Sequence, residues 1–152
     1  MGETTRRRRL AGILGGLLLL GSAGCGAGGD RPAYRDAAVT ALEGALGESR
    51  TAEVAGRQWV AGRSTHPFAS VVVGDGESGV GAEAGWFEGQ QPPTRAEDPL
   101  RTVTVEALSR AEDAVQAVRV SLDRSDVAGT RTALGELSAA CTALEDLAEE
   151  LR

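Results

Sequence analysis

Few side chains in this chain are equipped for chemistry. Its 152 residues hold two cysteines, Cys25 and Cys141, and one histidine, His66. A histidine can serve as a general acid or base when a reacting group stands beside it. Ser64 and Thr65 adjoin His66 in sequence, but catalytic partners are set by geometry in space, not by adjacency. The enzyme reading open to the sequence is a hydrolase or transferase built on the loop around His66 with nearby acids; the plainer one is a solvated loop histidine. Metal-ligand spacing is missing: there is no CxxC, no HExxH and no second histidine. Asp75-Gly76-Glu77 reads as an acidic turn, short of the ligand count of a calcium loop. No catalytic residue, metal ligand or cofactor is therefore expected.

The remaining candidates are surfaces. Glu112 with Asp113, and Glu145, Asp146, Glu149 and Glu150, fall off the apolar stripes of the sequence and read as solvated helix faces. The last four sit where they oppose a helix dipole, which predicts fraying near Leu151. Cys141 lies in step with Leu137 and Leu144, where a thiol behaves as a small hydrophobe. After the first thirty residues the aromatic rings are Tyr34, Trp59, Phe68, Trp86 and Phe87, all before residue 99. If the middle of the chain folds back, these rings gather at one end of the first helix. They would then form either a local core or a partly exposed patch for a protein partner or a small apolar ligand. Trp86, Phe87, Trp59 and Phe68 are the candidate binding residues, with Trp86 and Phe87 foremost because glycines flank them.

The strongest pattern lies at the N-terminus. Arg6, Arg7, Arg8 and Arg9 precede eleven uncharged residues, Leu10 to Leu20, and then the small residues Gly21-Ser22-Ala23-Gly24 before Cys25. A basic stretch, an apolar stretch and a small-residue cleavage zone define an export signal. Eleven helical residues reach only about 17 Å at ~1.5 Å each, whereas a span needs nearer ~20 residues. The segment 1–24 thus reads as a cleaved signal. Ser22-Ala23-Gly24-Cys25 resembles the lipobox of bacterial lipoproteins, although that family usually has leucine where this chain has Ser22. The resemblance implies a diacylglyceryl group on the Cys25 thiol and cleavage just before it. It further implies attachment to the outer, extracytoplasmic face of the cell membrane. Two acyl chains give stable anchoring where one is marginal. Ordinary secretion is the alternative, leaving Cys25 as a thiol able to pair with Cys141. Arg7-Arg8-Arg9-Leu10 also partly resembles a twin-arginine signal.

Charge narrows the partners. All sixteen basic residues are arginine, and the formal balance of −6 argues against nucleic acid. Loss of residues 1–24 removes four arginines and Glu3 and moves the balance to −9. Residues 25–31, rich in glycine, read as a flexible tether.

The elements that must position these residues are helices. Leu100, Val103, Ala107, Ala111, Val115, Val118 and Leu122 recur at steps of three or four, as do Val127, Thr130, Leu134, Leu137, Cys141, Leu144, Ala148 and Leu151. Such spacing predicts two amphipathic helices, and Asp123-Arg124-Ser125-Asp126 between them predicts an antiparallel αα-hairpin. Tyr34, Ala38, Ala41, Ala45, Ala52, Ala55 and Trp59 predict a further helix over about Pro32 to Ala61. Residues 62–98 hold seven glycines and three prolines and read as a long Gly-rich loop, with Val71-Val72-Val73 as one arm of a short β-hairpin. The expectation is an all-α three-helix bundle over 32–152. Its function would be that of a lipid-anchored, non-enzymatic binding or interaction module of the cell envelope. A structural envelope lipoprotein without a ligand is the third reading. Partner identity and oligomeric state are not written in the sequence.

Overall fold

The computed structural model describes residues 30–152, so Cys25 and the signal-like segment lie outside the described residues. The described chain is all-helical. Four α-helices run Arg31–Val60 (α1), His66–Glu88 (α2), Asp98–Asp123 (α3) and Val127–Glu150 (α4), with a 3-10 turn at Arg95–Glu97 ahead of α3.

Local chemistry sets most boundaries. Asp30 caps α1 by accepting a hydrogen bond from the Ala33 amide at 3.0 Å. Pro32, Pro67 and Pro99 each stand in a first helical turn, where a missing N–H costs nothing and the fixed φ helps. Ser125 takes a left-handed φ of 55° as α3 ends. Asp126 then caps α4 by accepting from the Gly129 amide at 2.9 Å.

Neighbouring helices alternate in direction. Tyr34, in the first turn of α1, packs its ring on Phe87 in the last turn of α2, with centroids 5.6 Å apart. At the opposite end Trp59 of α1 meets His66 of α2, and His66 reaches Leu122 at the end of α3. Arg35 near the start of α1 reaches the carbonyls of Glu150 and Leu151 at the end of α4. α1 packs on α2 and α4, α3 packs on the same two, and α1 and α3 also touch across the centre. The core they enclose holds Leu42, Val73, Phe87, Leu108, Val118 and Leu137, all essentially without solvent exposure. Two ends follow. The near end carries the start of α1 and the α2–α3 connection. The far end carries Trp59, His66 and the α3–α4 connection.

Two expectations are corrected. The bundle has four helices, not three, and most of segment 62–98 is α2, neither a loop nor a β-hairpin. Its glycines, costing about 1 kcal/mol each against alanine in a helix, are used where backbones meet. A Cβ on Gly76 would stand 3.0 Å from Ala52 Cβ and 3.1 Å from the Glu48 carbonyl oxygen. One on Gly79 would stand 2.7 Å from the Glu48 side chain, and one on Gly44 of α1 would stand 2.7 Å from that of Glu83. The two helices therefore approach at a distance that a larger residue would prevent. Ala69, Val73, Gly76, Val80, Ala84 and Phe87 form the buried stripe of α2 at steps of three and four.

The acidic end of α4, where fraying is expected, meets cations of α1 and of the chain's last residue. The guanidinium of Arg35 donates to the Glu150 carbonyl at 3.1 Å and to that of Leu151, and Arg152 pairs with Glu43. A cation from α1 thus sits at the negative end of the α4 dipole and takes up its open carbonyls.

Candidate functional site

The four candidate aromatics do not form one patch. Phe87 is fully buried, because Tyr34 covers it at the near end; it is a core residue and presents no surface. Its neighbour Trp86 points the other way and is 45% exposed. Phe68 lies eighteen residues before Trp86 on the same helix. That is five whole turns, or about 27 Å, so the two share a face but occupy opposite ends. Trp59 is half-buried at the far end with its ring edge-on to His66, centroids 5.9 Å apart.

The shared face is the outer face of α2. Phe68 is 58% and Val71 62% exposed on it, and Ser78, Ala82, Gly85 and Trp86 continue it toward the near end. Asp75 is the only charged residue between Phe68 and Trp86 whose side chain is exposed there. Glu77 turns inward to pair with Arg119 of α3, and Glu83 lies against Gly44. A surface helix ordinarily keeps charge on its solvent face and apolar residues on one stripe. α2 has apolar residues on both. Val71 was missed as a surface residue because the run Val71-Val72-Val73 looked like a strand; in a helix the three point in different directions, and only Val73 is buried.

The polar candidates are scattered over the bundle, some engaged and some exposed. His66 Nε2 lies 2.9 Å from the Leu122 carbonyl oxygen, so that nitrogen donates to the last turn of α3 and ties α2 to it. Glu112 and Asp113 are exposed on α3. Glu145 pairs with Arg50 of α1 at 2.5 Å. Asp75 and Glu77 sit on consecutive sides of a helix, not in a turn. Among the described residues no group of three or more His, Cys, Asp or Glu side chains converges as metal ligands would. Cys141 is a buried thiol. Burial, and secondarily the charge of Glu53, push it up to about 11, which suppresses the thiolate and its reactivity.

An open cleft of about 910 Å³ lies at the near end between the start of α1, the 3-10 turn and the end of α4. Three guanidinium groups line it, and each has a partner within the protein. Arg31 pairs with Glu97 at 2.7 Å, Arg35 holds the α4 carbonyls, and Arg152 pairs with Glu43. Glu97 is buried and also accepts from Thr94 Oγ1 at 2.6 Å. The cleft is a seam closed by internal ion pairs, not a set of free donors awaiting an anion. A smaller groove of about 390 Å³ between α3 and α4 is lined chiefly by alanines, among them Ala107, Ala114 and Ala140.

Among the described residues no helix is long and apolar enough to cross a membrane. No family model, no curated protein and no solved structure matches the chain.

Proposed function

We propose that this chain is a lipid-anchored extracytoplasmic interaction module: exported, cut before Cys25, held by a lipid on that cysteine, and non-catalytic. The arginine run, the apolar stretch and Ser22-Ala23-Gly24-Cys25 support the anchor. A rigid four-helix body supports the module. The partner would be a protein that covers the far half of the α2 outer face, where Phe68 and Val71 stand. That face carries the proposal, since two large apolar side chains more than half exposed on a nearly uncharged helix surface are a feature of interaction sites.

Two measurements test it. Intact mass of membrane-extracted protein should equal the chain from Cys25 plus a diacylglyceryl group, and Cys25→Ser should release the protein from the membrane. An unacylated chain in the medium would overturn the anchor. Crosslinking on intact cells, followed by capture, should yield a partner that is lost with Phe68→Glu/Val71→Glu while helical circular dichroism is retained. The same partners captured by that variant would overturn the surface and leave an anchored body without a docking role.

A further inference from the structure

Charge decides what could cover the outer face of α2. A covering chain must meet Phe68, Val71 and Trp86, which are large, apolar and exposed, and also whatever stands along their flanks. Carboxylates stand there. The Glu48 side chain of α1 lies over Gly79, 2.7 Å from where a Cβ would be, and Glu83 of α2 lies over Gly44 in the same way. Glu112 of α3 reaches the opposite flank, its Oε1 3.4 Å from a Cβ placed on Gly81. Asp75 stands exposed between Val71 and Trp86, and Glu88 stands exposed at the end of the helix.

None of these five carboxylates forms an ion pair among the described residues. The cations packed against α2 are occupied. Arg119 is shared by Glu77 and Asp123, and Arg101 donates to the Gln90 carbonyl at 2.8 Å and the Glu88 carbonyl at 3.0 Å. Arg63 stands exposed in the α1–α2 connection, ahead of Phe68. Seven carboxylates therefore border this face against three guanidinium groups. The seam between α1 and α4 differs: Glu43, Glu53 and Glu145 each have an arginine. The imbalance on α2 separates three occupants. A second copy would bring the same acidic rim against itself, and anionic headgroups would be repelled. A cationic amphipathic segment would bury its apolar side on Phe68, Val71 and Trp86 and set lysine or arginine beside the free carboxylates. An exposed indole is also the aromatic group that attracts a cation best.

We infer that the outer face of α2 docks a basic amphipathic segment of a protein partner, with the apolar side chains supplying contact and Glu48, Asp75, Glu83 and Glu112 selecting positive charge. The inference rests on the reading of this face as an interaction surface and adds the partner's chemistry to it. It extends the contact from Phe68 and Val71 past Asp75 to Trp86, about 27 Å along the helix, which a helical partner segment of about 18 residues would match.

The test uses the chain from residue 25 carrying Cys25→Ser, which keeps all four helices, and three fluorescent peptides of about 18 residues: an amphipathic Leu/Lys helix, the same residues shuffled, and the Leu/Glu counterpart. By fluorescence anisotropy the Leu/Lys helix should bind several-fold more tightly than either of the others. Asp75→Asn/Glu83→Gln/Glu112→Gln should weaken that binding about tenfold, as the loss of three exposed ion pairs allows. Asp146→Asn/Glu149→Gln/Glu150→Gln removes the same charge from α4 and should leave it unchanged. Circular dichroism checks each fold, and Asp75→Asn alone should give part of the loss if the triple variant disturbs the packing at Gly44. Equal loss in the α2 and α4 variants would mean diffuse attraction to an acidic body. Equal binding of the Leu/Glu peptide would mean that the face does not select charge. Either result overturns the inference, as does the absence of any peptide binding. A dimer in sedimentation, or binding to phosphatidylglycerol vesicles, that Phe68→Glu/Val71→Glu abolishes would seat a second copy or lipid there and overturn it as well. The docking reading itself falls only if capture on intact cells is insensitive to Phe68→Glu/Val71→Glu, so the two failures are distinguishable.

Discussion

Two glycines two residues apart in α2 should respond to alanine with opposite signs. A Cβ on Gly74 meets nothing within 4 Å, whereas one on Gly76 stands 3.0 Å from Ala52 Cβ and 3.1 Å from the Glu48 carbonyl oxygen. Both substitutions gain about 1 kcal/mol of helix propensity, largely by reducing the freedom of the unfolded chain. Gly74→Ala keeps that gain. Gly76→Ala must push two backbone-borne atoms apart by a few tenths of an ångström, and neither is the loose end of a flexible side chain. Overpacking of this kind costs roughly 1–3 kcal/mol, so the net effect is about 0–2 kcal/mol of destabilisation. The variants should differ by roughly 1–3 kcal/mol, or about 4–12 °C in Tm at ~4 °C per kcal/mol for a domain of this size. Urea and thermal denaturation of the chain from residue 25, carrying Cys25→Ser and followed by circular dichroism, measure both. Equal stabilisation by the two substitutions would refute the close approach of α1 and α2. Destabilisation by Gly74→Ala would refute the helix at that position.

Three further outcomes are expected. His66→Ala removes the hydrogen bond to the Leu122 carbonyl and the edge contact on Trp59; it should lower stability by about 1–2 kcal/mol and shift Trp59 emission, and an unchanged denaturation midpoint would contradict the tie. With its thiol pushed up to about 11, Cys141 should react at pH 8 about 200-fold more slowly than an exposed cysteine, from thiolate fraction alone; the rate should recover in denaturant, and fast native labelling would contradict its burial. Ser49 is fully buried with no partner for its hydroxyl among the described residues, so Ser49→Ala should raise stability by about 0.5–1 kcal/mol; a loss would show that the hydroxyl is hydrogen-bonded.

How much was legible differs from helix to helix. α3 and α4 follow a three-and-four repeat of leucine, valine and alanine with a proline and an acidic cap at their starts, and both signals act within a few residues of sequence. The placement of Cys141 among the core leucines follows from the same repeat. The α2 repeat was present as well, at Ala69, Val73, Val80, Ala84 and Phe87, but the position that joins its halves is Gly76. Read locally, Gly74, Gly76, Gly79, Gly81 and Gly85 argue for a loop, since isolated glycines weaken a helix. The aromatics misled for a related reason. Grouping by sequence region put Trp86 and Phe87 together, and a helix sends adjacent residues to different sides.

Sequence by itself determined the export-like N-terminus, the helical class, and the ends of α1, α3 and α4, because charge, periodicity and capping are properties of short stretches. Tertiary structure alone decided that the glycine-rich middle is a helix, that Arg35 closes the end of α4, that Phe87 is core, and that Phe68 and Val71 face solvent. Each of those depends on what lies opposite in space: a glycine is a cost in isolation and a requirement where another backbone passes about a van der Waals contact away.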